Sequence, residues 1–142
     1  MDKCNAKNLL VSKKLKVTKQ RQLILERIIG RQGIFTVNSL YTKLEDEIDL
    51  VTIYRVISIF EEKGIIREVL SNYEEKRYEL ACIHNPVHPH FNCSVCNELF
   101  CLEAVSDNLI KLLQENISDY LVKDISIQFK GICKKCLENN LT

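Results

Sequence analysis

The stretch His88-Pro89-His90-Phe91-Asn92-Cys93-Ser94-Val95-Cys96-Asn97 packs two imidazoles and two thiols into one short run, and Cys133-Lys134-Lys135-Cys136 answers it downstream. Each Cys-x-x-Cys turn offers two thiolates from a tight loop, and two such turns meet the demand of tetrahedral zinc for four soft or borderline donors. Cys93, Cys96, Cys133 and Cys136 are therefore expected to hold a structural zinc. Asn97, directly after the second thiol, tolerates the left-handed backbone that such a knuckle requires. The competing readings are two buried pairs of free thiols and a redox Cys-x-x-Cys. A redox site needs only one such motif, and the strand-helix pattern that normally precedes it is not visible.

The interval from Cys96 to Cys133 is longer than in a compact zinc ribbon, so it must contain structure of its own. His90 to Cys93 and Glu98 to Leu102 read as strands. A helix is expected from about Val105 to Ile117, with Val105, Leu109, Leu112, Leu113 and Ile117 on its buried side. Ile125 to Lys130 alternates as a strand, Ile125, Ile127 and Phe129 sharing one face. A small sheet with one covering helix leaves open edges, and pairing them between two chains is the economical remedy. The second half, residues 83–142, is read as a small α/β dimerisation domain.

Upstream, residues 1–82 carry a different pattern. Met1 to Lys16 is a short amphipathic segment, and Thr18 caps a helix through about Ile29 that Gly30 and Gly33 end. Thr36 caps a second helix with Val37, Leu40 and Leu44 inward. Asp49 precedes a third, in which Leu50, Ile53, Val56, Ile57 and Phe60 form one apolar stripe before the stop at Gly64. The opposite side of this third helix shows Val51, Thr52, Tyr54, Arg55 and Ser58, where a solvated helix would show mainly charge. Ile65 to Leu70 and Lys76 to Leu80 then read as a hairpin around the turn at 71–75. Three helices followed by a hairpin is the winged helix-turn-helix arrangement, whose third helix enters the major groove. The plainer alternative is a small helical subdomain with a hairpin and no DNA role.

The fold class is thus α+β, a winged helix-turn-helix followed by a zinc-stapled dimerisation domain. The breakers between 81 and 89, among them Pro86 and Pro89, mark the hinge. The 142 residues carry a net charge of +1, but the first thirty hold eight Lys or Arg against two carboxylates, a footprint suited to nucleic acid. No membrane-length apolar run or export signal is present, so seven cysteines point to metal ligation or free thiols in a cytoplasmic protein rather than to disulfides.

With these parts in place, the chain resembles the ferric uptake regulator (Fur) family of metal-dependent repressors. The resemblance runs from Leu15 to Cys136 and rests on Lys16-Val-Thr-Lys-Gln-Arg21, Leu40-Tyr41, Thr52-Ile-Tyr54-Arg55, Lys63-Gly64-Ile-Ile, Tyr78-Glu79, His88-x-His90-x-x-Cys93-x-x-Cys96 and Gly131-x-Cys133-x-x-Cys136. It implies a homodimeric repressor of metal-homeostasis genes, with a Cys4 zinc in each subunit and a second divalent metal (iron, zinc or manganese) at the hinge. It also implies that Thr52, Tyr54 and Arg55 read operator DNA, while Lys14, Lys16 and Arg21 touch phosphates or the minor groove. That chemistry is sound without kinship, since Arg pairs bidentately with guanine, a Tyr ring contacts thymine methyls and Lys neutralises phosphate.

For the sensory metal, the resemblance implies Glu79, His88 and His90. Three departures matter. Ile34 stands where the family commonly has histidine, Ile125 stands where a further ligand often comes from the late strand, and Cys101 replaces the carboxylate usual after the knuckle. A fourth donor is sought among Cys82, His84 and Cys101; a thiolate favours zinc over ferrous iron. Cys101 could equally be a buried strand thiol, and Cys4 has no evident role. Two alternatives to the metal-dependent repressor are a peroxide-sensing repressor of the same family and a zinc-stapled thiol redox protein.

Overall fold

The computed structural model describes residues 5–31, 33–69, 74–81, 87–122 and 125–139. The described residues up to Val69, together with 74–81, form one compact unit, and those from 87 onward form a second.

The first unit begins with α1 (Ala6–Ser12), capped by the Asn5 side chain, which accepts from the Asn8 N–H. That cap was not anticipated. The helix stops where Lys14 turns left-handed at φ 60°. Thr18 caps α2 (Lys19–Arg31) by accepting the Arg21 N–H. This helix runs past the expected end at Ile29, because Gly30 costs only about 1 kcal/mol inside a helix and the left-handed reversal comes at Gly33, φ +86°. A capping box between Thr36 and Ser39 starts α3 (Val37–Leu44) as expected.

The helix α4 (Leu50–Glu62) ends at Lys63 and Gly64, the latter at φ +74°. Asp49 occupies its N-cap but makes no side-chain bond to the helix backbone. It accepts instead from the Thr52 hydroxyl, which holds the Asp49 carboxyl below its usual range. Ile53, Val56, Ile57 and Phe60 are buried, against Ile24, Leu25 and Ile28 of α2 and Leu40 and Leu44 of α3 in one core. Full burial of each such side chain contributes roughly 1.5–3 kcal/mol.

Strands β1 (Ile66–Val69) and β2 (Arg77–Leu80) pair antiparallel, with Arg67 opposite Glu79 and Glu68 opposite Tyr78. Phe35 adds a bridge to Tyr78, each N–H donating to the other's carbonyl at 2.9 Å, which ties the α2–α3 connection to the wing. Residues 71–73 of the expected wing turn lie outside the described residues.

The second unit is a three-stranded sheet in the order β4 (Leu99–Cys101), β3 (His90–Cys93), β5 (Gln128–Gly131), antiparallel on one side of β3 and parallel on the other. The expected strand from Ile125 is shorter, because β3 offers only His90 to Cys93 as partners and the pairing begins at Gln128. Between β4 and β5 lies α5 (Asp107–Glu115), capped by Ser106 and shorter than the expected 105–117. Its apolar stripe is not buried within the chain: Leu109, Leu112, Leu113 and Ile117 are 41%, 58%, 48% and 39% exposed. A short helix, α6 (Lys134–Glu138), closes the unit with Cys133 as its first flanking residue.

Candidate metal centres and nucleic-acid face

The four-thiol centre is assembled entirely within the second unit. Cys93 ends β3, and the chain reverses at once: the Asn97 N–H donates back to the Cys93 carbonyl at 3.0 Å, with Asn97 left-handed at φ 61° as expected. Gly131 ends β5 beside it, where an added Cβ would lie 3.3 Å from the Phe91 ring, so glycine allows the close approach that delivers Cys133 and Cys136. The Sγ atoms of Cys93 and Cys136 are 3.8 Å apart, as are those of Cys96 and Cys133. Zinc–sulfur bonds of about 2.3 Å arranged tetrahedrally give an edge of about 3.8 Å. The thiols are thus spaced for a shared ion and too far apart for disulfides.

Electrostatics agree with that fit. Burial pushes the Cys93 thiol up, but N–H groups of Cys133, Cys96 and Val95 outweigh it and bring the group down to about 6. Burial and the neighbouring thiols push Cys136 up to about 12. A cluster that welcomes one negative charge and resists the last is one that a dication completes. Cys93, Cys133 and Cys136 are buried, whereas Cys96 is exposed.

A second donor set sits in the same unit. His90 faces Cys101 across the β3–β4 pair, and the His88 and His90 rings lie 4.5 Å apart, centroid to centroid. One donor atom from each of His88, His90 and Cys101 falls within 4.8 Å of the others. The Leu102 N–H donates to the Pro89 carbonyl at 2.9 Å, holding the segment between the two histidines against the end of β4. His90 is buried and Cys101 exposed, so the set is anchored on one side and open on the other. Of the spare donors Cys82, His84 and Cys101, Cys101 falls among the described residues; Cys82 and His84, like Cys4, lie outside them.

Glu79 belongs to the first unit. It is 2% exposed on β2, and its Oε1 accepts from Arg67 Nε at 2.7 Å. Sequence inspection missed Arg67, because only the strand register brings the two residues opposite one another. Ile34 is half-buried and Ile125 likewise, and neither offers a donor.

The outward side of α4 is as the helical period predicts. Val51 and Tyr54 are 57% and 50% exposed, Arg55 and Ser58 are exposed, and Thr52 is half-buried with its hydroxyl hydrogen engaged by Asp49. Lys14 and Lys16 are exposed in the α1–α2 connection. Arg21, in the first turn of α2, is half-buried, and its guanidinium donates to the Lys16 carbonyl at 3.0 Å, so it shapes the basic loop as well as adding charge to it.

The ferric uptake regulator family model matches residues 12–130. The peroxide-responsive repressor PerR of Staphylococcus aureus is 27% identical over 125 residues, spanning 86% of this chain and 82% of that protein. The ferric uptake regulator of Vibrio cholerae is 30% identical, with a TM-score of 0.64 over 89% of this chain and 98% of that one. The Francisella tularensis ferric uptake regulator, solved with iron, is 26% identical with a TM-score of 0.65 over 87% of this chain and 95% of its own.

Proposed function

The chain belongs to the ferric uptake regulator family, and from that membership we propose that it is a homodimeric, metal-responsive repressor that binds operator DNA through α4. The observation that carries the reading is the presence of two unlike donor sets in one unit: a closed set of four thiols, and an open set of His88, His90 and Cys101. Closed four-thiolate sites hold structural zinc, whereas a mixed set of imidazole and thiol donors with Cys101 exposed leaves an ion accessible to exchange. Cys93, Cys96, Cys133 and Cys136 hold the structural ion, whose binding supplies folding energy to a unit with a small core. His88, His90 and Cys101 hold the responsive ion, with the Glu79 carboxylate as the remaining donor. A thiolate in that set favours zinc over ferrous iron or manganese.

The exposed stripe on α5, together with β4 and β5 as the outer strands of the described sheet, is the surface that a second copy covers. A two-fold dimer presents two copies of α4 to half-sites of a palindromic operator, with Tyr54 and Arg55 at base edges and Lys14 and Lys16 on phosphates. Among the described residues no helix is long and apolar enough to cross a membrane.

The test is metal analysis of natively purified protein, followed by operator selection from random duplexes with zinc, iron or manganese added in turn. The expected result is retained zinc in every sample and a DNA affinity that rises at least tenfold with one added metal, zinc first. DNA binding indifferent to all three metals would overturn the reading. On the selected operator, Arg55→Ala should cost about 1–3 kcal/mol while changing affinity for random DNA little. Equal losses on both would reassign Arg55 to a phosphate contact.

A peroxide-sensing repressor is the second reading, favoured by the identity with PerR. It requires iron at the same donors, so hydrogen peroxide added to iron-loaded protein should abolish DNA binding and leave oxygen added to His88 or His90. Zinc-loaded protein is expected to be unaffected.

A further inference from the structure

We propose that Arg67 sets the metal threshold of the responsive site by sharing the Glu79 carboxylate with the ion. The inference rests on the reading of Glu79 as a ligand of that site. Arg67 and Glu79 are directly opposed in the β1–β2 register, and Nε meets Oε1 at 2.7 Å with side chains 15% and 3% exposed. The same hairpin carries a second ion pair, Lys76 with Glu68, at 3.8 Å and with side chains 64% and 36% exposed. That outer pair is screened by water and contributes little. The inner pair is shielded from water, so guanidinium and carboxylate interact without that screening.

The consequence for metal binding follows from charge alone. Before metal arrives, Arg67 holds the Glu79 carboxylate in place through the Nε–Oε1 contact. When a dication approaches the same carboxylate, it meets a donor whose charge is already partly satisfied and a guanidinium that repels it. Arg67 therefore presets the ligand while lowering its affinity, so the site fills only when free metal is high. A residue that merely braced the wing would act in the opposite sense, because its loss would disorder Glu79 and weaken metal binding.

The experiment is a competition titration of the full-length, structurally zinc-loaded protein against a chelator, with zinc as the probe. Arg67→Gln should bind the second zinc at least tenfold more tightly than the unaltered protein, with DNA affinity at saturating zinc unchanged. Arg67→Lys, which keeps the charge, should stay within about threefold of the original. Arg67→Met carries the same expectation as Arg67→Gln and fills the buried volume, and a thermal melt of each variant without added metal reports folding. Glu79→Gln separates the two levels of the argument. If it leaves zinc affinity unchanged, Glu79 is not a ligand and the proposed donor set is wrong. If it weakens zinc while Arg67→Gln does not strengthen it, or if neither neutral variant folds, Arg67 is structural and the threshold proposal fails alone.

Discussion

Replacing Cys133 with serine is expected to remove most of the structural zinc and to unfold the second unit, leaving the first unit folded around its own helical core. Cys133 is 9% exposed, its Sγ lies 3.8 Å from that of Cys96, and its N–H donates to the Cys93 sulfur at 3.4 Å. The substitution thus removes a ligand at the point where β5 meets α6. The apolar cluster around the thiols is small, comprising Phe91, Val95, Phe100 and Ile132. It cannot replace an ion whose binding is worth roughly 10–16 kcal/mol in comparable thiolate sites. Zinc release measured with a chromophoric chelator, together with a melting profile, checks the prediction. The variant should hold less than half the zinc of the unaltered protein, lose a separate high-temperature transition and sediment as a monomer. Full zinc content with an unchanged melt would sink the four-thiolate assignment.

Loss of both imidazoles of the responsive set should have the second large effect, with the opposite signature. His88→Ala combined with His90→Ala leaves the four thiols untouched, so the protein should remain folded and dimeric and keep its structural zinc. It should lose the rise in DNA affinity that added metal produces. An ion stabilises only the state in which its donors converge, and its leverage equals its differential affinity for that state. In a dimer that state fixes the distance between two major-groove helices. Titrating DNA binding in chelator-buffered metal should give the unaltered protein a sigmoid or hyperbolic rise of at least tenfold, and the double variant a flat line. Superimposable curves from the two proteins would show that no switch resides at these residues. With Ile34 where the resemblance implies a histidine, curves that coincide and stay flat at high affinity would mean a repressor held in its binding-competent form, and curves that coincide and rise would place the action of the metal at other residues.

The sequence by itself determined what local chemistry determines. The two Cys-x-x-Cys turns, Thr18 and Thr36 as caps, the stop at Gly64 and the left-handed Asn97 were all legible, because each depends on residues a few positions apart. So was the outward face of α4, since a helical period alone decides that Tyr54 and Arg55 oppose Ile53, Val56 and Ile57. The reading failed where a second element sets the limit. Alternation from Ile125 suggested a longer strand, but a strand extends only as far as its partner, and β3 supplies four residues to β5. Periodicity called the α5 stripe buried. Period reports which residues share a face, however, and not whether this chain or another one covers it. Asp49 does occupy the N-cap of α4, but its carboxylate accepts from the Thr52 hydroxyl and makes no cap bond to the helix backbone.

Only the tertiary structure decided which donors meet. The β3–β4 register sets Cys101, one of three spare donors, opposite His90, while Cys82 and His84 lie outside the described residues, and Arg67 carried no signal at all until β1 and β2 were paired with Glu79 across from it. Spacing along a chain specifies the contacts of a single turn or loop. Contacts between strands depend on register, and a shift of one residue would turn Cys101 and Arg67 to the opposite faces of their sheets.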